Sequence, residues 1–185
     1  GPSGVGKSHL ALGLAQAWKK QHFKSRVLTT TAADFARECA TAAETDGLSE
    51  MRARYRDASL LVLDDLGQLS SKTSAQQELI HVLNDRSRQD RPVIVTISSW
   101  PAESGRLLPA LVSRLSAGLT VPLVAPADGV RLVILERLAA EHDVALPASA
   151  ARILAQRLPL TVPRLRGALL DLATTVGMDG GTIDA

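Results

Sequence analysis

Short unbroken apolar runs alternate along this chain with longer stretches in which apolar residues recur every three or four positions. The runs read as strands buried on both faces and the recurring pattern as amphipathic helices. Together they predict an α/β fold with a parallel sheet covered by helices. Strands are predicted at Arg26–Thr31, Leu60–Asp65, Pro92–Ser98 and Leu119–Leu123. Between them, Ser8–Lys20 spaces Leu10, Leu14 and Trp18 as one helical stripe. Ala32–Tyr55 predicts two shorter helices broken near Thr45–Gly47. Ser74–Arg88 predicts a helix whose buried side includes Leu79, Ile80, Val82 and Leu83.

The texture changes after Leu123, where strand patterns stop and helical stretches follow at 128–142, 148–157 and 162–176. Pro147 and Pro163 fall at or near the first turns of the second and third, where a missing N–H does little harm. A boundary near Val124–Pro126 therefore divides an α/β part, 1–125, from a small all-helical part, 126–185. The glycine-rich tail Gly177–Ala185 is expected to fray.

Composition narrows the picture. With 185 residues, 45% hydrophobic and 22% charged, the chain is long and apolar enough for a sizeable core, which excludes wholesale disorder. Aromatic residues at 3% leave the core to Leu, Val, Ile and Ala, and argue against single-strand binding through many stacked rings. The single cysteine, Cys39, excludes an internal disulfide or a cysteine-based metal site, which suits a reducing compartment such as the cytoplasm. No run approaches the ~18 apolar residues of a membrane span. A net charge of +2 permits nucleic-acid contact without requiring it.

The sharpest chemistry lies at the start. Gly1-Pro2-Ser3-Gly4-Val5-Gly6-Lys7-Ser8 fits G-x-x-x-x-G-K-[ST]. Glycines let successive backbone N–H groups wrap a phosphate without an intruding Cβ, and the helix that follows aims its positive end at the same anion. Lys7 supplies a point charge to the terminal phosphates, and the Ser8 hydroxyl is a ligand for Mg²⁺. Such a site needs an acidic strand end, and Leu60–Asp65 ends in paired carboxylates that repel each other unless a cation is near. Asp64 is expected to hold Mg²⁺, largely through water, and Asp65 to orient or deprotonate the attacking water. Thr96, Ser98 and Ser99 end the next strand, where polar groups can position water.

These residues resemble an AAA+ ATPase, and more closely the ATPase region of the bacterial chromosomal replication initiator (DnaA) family. The resemblance runs through nearly the whole chain. It rests on the loop followed by His9-Leu10, on Tyr55-Arg56 through Leu69, and on Gln76-Gln77-Glu78 with Asn84. It continues through Leu111–Leu115, Gly118-Leu119 and Leu165–Leu169. It implies a P-loop sheet with a helical lid, ATP/ADP and Mg²⁺ as cofactors, and a nucleotide site formed by Gly1 through His9 with a lid arginine. It also implies slow, weak hydrolysis and ATP-dependent self-assembly on DNA during initiation of chromosome replication. Arg114 matches the finger that one subunit lends to its neighbour's ATP. A helicase loader or initiator regulator without a DNA-reading domain is the alternative. A small-molecule phosphotransferase and a module that holds ATP without hydrolysing it are readings from other classes.

The chain departs from the family at several positions. The family's Thr-Ser-Asp sensor reads Thr96-Ile97-Ser98, leaving Ser98 in the acidic place. The lid arginine falls on Pro163, with Arg164 and Arg166 as substitutes, and Arg164 projects about 100° round the helix from that position. The arginine usual before the finger is Ala110. Lys72 matches a basic position near the family's single-stranded DNA path, but its basic neighbour is Ser74. Lys19, Lys20, Lys24 and Arg26 read as a solvated face. The family also has a central strand before its phosphate loop, whereas this sequence opens on Gly1. About four apolar residues at ~1.5–3 kcal/mol each would then be missing, comparable to a domain's stability. The expectation is a fragment of a longer protein that is poorly soluble or molten when expressed alone. The family's DNA-reading helix-turn-helix is likewise expected outside these residues.

Overall fold

The computed structural model describes residues 1–158 and 161–178. They form two compact units, Gly1 with Lys7–Pro122, and Pro2–Gly6 with the residues from Leu123 onward.

The first unit is a parallel sheet of β1 (Val27–Thr31), β2 (Leu60–Asp64) and β3 (Val93–Val95), in the order β1-β2-β3. Its helices are α1 (Lys7–Gln21), α2 (Ala32–Glu44), α3 (Leu48–Asp57), α4 (Thr73–Arg88) and α5 (Pro109–Ser116). Central β2 is apolar at every position but its last because both faces are covered. Leu61 and Leu63 join the larger core with Phe35, Tyr55, Leu79 and Leu111. Leu60 and Val62 face α1, where Ala11 and Ala15 meet them. Each fully buried side chain of this kind contributes about 1.5–3 kcal/mol.

The α1 stripe is corrected at Leu10 and Leu14, while its third member, Trp18, packs against the sheet as expected. Leu10 and Leu14 remain 46% and 47% exposed, and the residues one position on, Ala11 and Ala15, are buried instead. Alanines bring the helix backbone close to the sheet, and a shift of one residue rotates the buried face by about 100°. The expected break between α2 and α3 is present. Three of the four non-glycine residues with positive φ among the described residues, Asp46, Asp90 and Asp143, directly follow helix caps. After α2, Asp46 is left-handed and the Gly47 N–H reaches back to the Ala42 carbonyl at 2.8 Å, a helix-ending motif. The fourth such residue is Asp65.

Buried Arg86 of α4 fastens α3 to the sheet without an acidic partner among the described residues. Its guanidinium donates to the carbonyls of Tyr55, Ala58 and Pro92 at 2.7, 2.8 and 2.7 Å. Burial, with Arg91 nearby, lowers its pKa to about 10. The fourth predicted strand, Leu119–Leu123, is absent. No ladder engages the segment among the described residues, and Leu119 and Val121 are 93% and 61% exposed. An apolar run becomes a strand only where another strand accepts its backbone bonds. Helix α5, conversely, was not among the elements expected from periodicity.

The second unit contains α6 (Asp128–Glu141), α7 (Ala148–Arg157) and α8 (Val162–Met178), packed around Leu135, Ala155 and Leu165. Buried Arg131 donates to the Ala155 and Pro126 carbonyls at 2.7 and 2.6 Å, tying α6 to α7 and to the incoming chain. Pro147 caps α7 from outside, and Pro163 is the second residue of α8. Helix α8 runs to Met178, past the predicted start of the frayed tail at Gly177, and residues 179–185 lie outside the described ones.

Candidate functional site

In the first unit, β2 delivers Asp64 to the start of α1. The Ser8 hydroxyl, on the second residue of α1, donates to Asp64 Oδ1 at 2.9 Å. Thr96, just beyond β3 and buried, donates its hydroxyl to the same oxygen. The Thr96 Oγ1 also accepts the Asp65 N–H at 2.9 Å. The backbone continues this stitching, with Thr96 N–H to the Leu63 carbonyl at 3.1 Å and Leu66 N–H to the Thr96 carbonyl at 2.9 Å. One threonine thus joins the ends of two strands and both carboxylate residues.

Strand register explains the placement. Leu61, Val62 and Leu63 pair with Val93, Ile94 and Val95, so the next step sets Asp64 beside Thr96. Ser98, which takes the acidic sensor place of the family, lies two residues further on and is exposed. Its Oγ lies 3.9 Å from where a Cβ on Gly67 would stand, and Asp65 Oδ1 lies 3.7 Å from the same point.

Asp65 turns left-handed at φ 55°, ψ 59°, which ends β2 and begins a short 3₁₀ turn, Leu66–Leu69. Aspartate tolerates this conformation better than most side chains. Gln68 then donates Nε2–H to Asp65 Oδ2 at 2.9 Å, and its N–H to the Asp65 carbonyl at 3.0 Å. Sequence reading gave Gln68 no role. The only available signal was an amide three residues after an acid that follows a strand.

The same turn is linked to α5. Buried Gln76 donates to the Leu69 and Arg106 carbonyls at 2.8 and 3.1 Å and accepts the Leu108 N–H at 2.6 Å. Leu108 caps α5, whose buried Leu111 anchors it and whose last turn carries exposed Arg114. Lys72, at the N-cap of α4, is exposed. Lys7 opens α1 and is half-buried, and His9 is exposed.

In the second unit, the phosphate-loop residues Pro2–Gly6 include two left-handed glycines, Gly4 at φ 78° and Gly6 at φ 95°. The Gly4 carbonyl accepts the Val162 N–H at 3.1 Å. A Cβ on Gly4 would stand 2.8 Å from the Thr161 Cβ and 3.3 Å from the Pro163 Cδ, so both backbone angle and close approach demand glycine. Pro163, in the place of the expected lid arginine, therefore packs at the loop. Arg164 and Arg166 are exposed on α8.

The donor set around Asp64 suits a hard cation. Ser8 and Asp64 supply oxygen ligands, and the Ser8 and Thr96 hydroxyls both bond Asp64 Oδ1. No group of three His, Cys, Asp or Glu among the described residues could hold a metal alone. A magnesium ion held by Ser8 and Asp64 would complete its shell with water and phosphate oxygens, as this ion commonly does.

A family model described as the bacterial DnaA ATPase domain matches residues 1–122. The chain belongs to the bacterial DnaA ATPase domain family. DnaA relatives also match beyond that span. The chromosomal replication initiator protein DnaA of Sphingopyxis alaskensis is 33% identical over 183 residues, covering 98% of this chain and 40% of that protein. The chain therefore spans well under half of that relative. Domain III of the Thermotoga maritima initiator superposes with a TM-score of 0.90 at 26% identity, covering 100% of this chain and 77% of that one. A DnaA structure bound to AMPPCP and single-stranded DNA superposes at 0.84 and 26% identity, covering 97% and 55%. The α/β AAA+ fold implied by the DnaA resemblance is thus the fold observed. No helix among the described residues is long and apolar enough to cross a membrane.

Proposed function

We propose that this chain is the nucleotide-dependent switch of a DnaA-type initiator, with 1–125 as the ATP-binding part and 126–185 as its lid. The observation that carries the proposal is the convergence of Ser8, Asp64 and Thr96 at the head of α1, directly after the glycine–lysine loop. Family membership and the AMPPCP-bound relative support it.

On this reading Gly1–His9 cradles the phosphates of ATP or ADP, Lys7 neutralises their charge, and Ser8 with Asp64 holds Mg²⁺. Magnesium supplies charge neutralisation between the terminal phosphates. Asp65 orients water and accepts its proton, Ser98 stands in the sensor position, and Arg164 approaches nucleotide from the lid. Hydrolysis to ADP and phosphate is slow, suiting a switch better than a motor. Arg114 reaches the γ-phosphate of an adjoining protomer, so that the triphosphate form favours assembly on DNA in the cytoplasm. DNA contact runs through single strands, with Lys72 as a candidate, or through a helix-turn-helix outside these residues. The DnaA relative bound to single-stranded DNA supports the first route.

Calorimetry on the full natural chain with ATP and Mg²⁺ tests the core of the proposal. Saturable heat is expected for the natural protein, with affinity lowered at least about tenfold by Lys7→Ala, which removes the charge that meets the phosphates. Absence of nucleotide heat with Mg²⁺ present defeats it.

A further inference from the structure

We infer that Gln68 is a positioning residue for the proposed ATP hydrolysis, selecting which oxygen of Asp65 faces the water. The inference rests on the assignment of Asp65 as the acid that orients that water. Of the four left-handed non-glycine residues among those described, Asp65 alone does not follow a helix cap. Its conformation is fixed from both sides. Its N–H is held by the Thr96 hydroxyl at 2.9 Å, and its carbonyl accepts the Gln68 N–H at 3.0 Å. The side chain is held as well, because the Gln68 amide donates to Oδ2 at 2.9 Å. Oδ1 lies toward Gly67, 3.7 Å from where a Cβ on that glycine would stand, and the Ser98 hydroxyl lies 3.9 Å from the same point.

A carboxylate with one oxygen tied by a neutral donor keeps its charge and loses rotational freedom, so the other oxygen is presented in one direction. In the hydrolytic step the water oxygen bonds to the γ-phosphorus as the bond from phosphorus to the bridging oxygen breaks. The water's proton passes to Asp65 Oδ1, and ADP departs with the bridging oxygen. Gln68 neither gives nor receives a proton in this step.

Two substitutions separate donation from packing. Gln68→Glu keeps the shape but replaces the amide donor with an acceptor, whereas Gln68→Ala removes the side chain. If donation is its role, Gln68→Ala lowers kcat by about 3- to 10-fold, the range of one neutral hydrogen bond, and Gln68→Glu lowers it further. KM for ATP and the thermal midpoint stay near natural values in both, since neither side chain meets nucleotide or core. A packing role reverses the order, with Glu milder than Ala, and overturns the inference, as does an unchanged or raised kcat in Gln68→Ala. Asp65→Asn, measured alongside in the full natural chain, distinguishes the levels. Loss of hydrolysis there with a normal Gln68→Ala defeats the inference alone. Retained hydrolysis in Asp65→Asn defeats both the inference and the assigned role of Asp65.

Discussion

The Thr96 hydroxyl is engaged at both ends, donating to Asp64 and accepting from the Asp65 backbone. Replacing it with valine keeps the volume but strands a backbone N–H and one bond of a carboxylate. Thr96→Val is therefore expected to destabilise by about 1–3 kcal/mol in urea melts, the cost of buried polar groups left without a partner. Ser98→Ala, at an exposed position, is expected to fall within about 0.5 kcal/mol of the natural chain. Equal stabilities would refute this division of labour. Much of the site's composition was legible in the sequence, because the glycine–lysine loop and paired aspartates are local spacings whose chemistry needs no register. Thr96 was harder to rank over Ser98. Both residues follow the same apolar strand and share a face, and only the pairing of β3 with β2 decides which one meets Asp64.

Elements were legible where both end and face were encoded locally. The α2–α3 break was visible as Thr45–Gly47, and helices α6 and α7 matched their expected ranges closely. The α1 face differs from the expected stripe at two of its three residues, because small alanines, not Leu10 and Leu14, join Trp18 in the close approach to β2. The join between α3 and α4 depends on pairing that no periodicity shows. Arg52 donates twice to Glu78, at 2.6 and 2.7 Å, and these bonds hold the Glu78 carboxyl below its ordinary range. A carboxyl whose pKa is lowered on folding contributes stability fully above its unfolded value. That contribution fades as pH falls through the lowered folded value. Arg52 is 39% exposed, so screening limits the expected contribution to about 0.5–1 kcal/mol. Glu78→Gln should lose this amount at neutral pH and show a shallower fall in thermal midpoint below the ordinary glutamate value of 4.5. Parallel pH curves for the two proteins would rule the pair out as a source of acid sensitivity.

At the scale of the whole molecule, the position of Arg114 gains its meaning from what lies around α5. Leu111 is buried, and Val112 and Leu115 pack against the core, while Arg114 remains exposed in the last turn. Gln76 holds the cap of that helix to the turn that begins after Asp65. The helix is thus anchored by apolar contacts and a buried amide, none of which involves the guanidinium. Arg114→Ala should therefore leave the thermal midpoint within about 2 °C, as for a surface substitution. On the proposed reading, the same change should abolish the rise in ATP turnover per subunit as protein concentration increases. It should also lower turnover at high concentration by at least about tenfold, since a guanidinium lent to the γ-phosphate stabilises charge in the transition state. Sedimentation with ATP and Mg²⁺ should show smaller assemblies for the variant, while nucleotide affinity at low concentration stays unchanged. A guanidinium acting within its own chain predicts a different pattern, with turnover lowered equally at every concentration. If neither turnover nor assembly changes, Arg114 is only a solvated charge, and any exchange between protomers must use another cation.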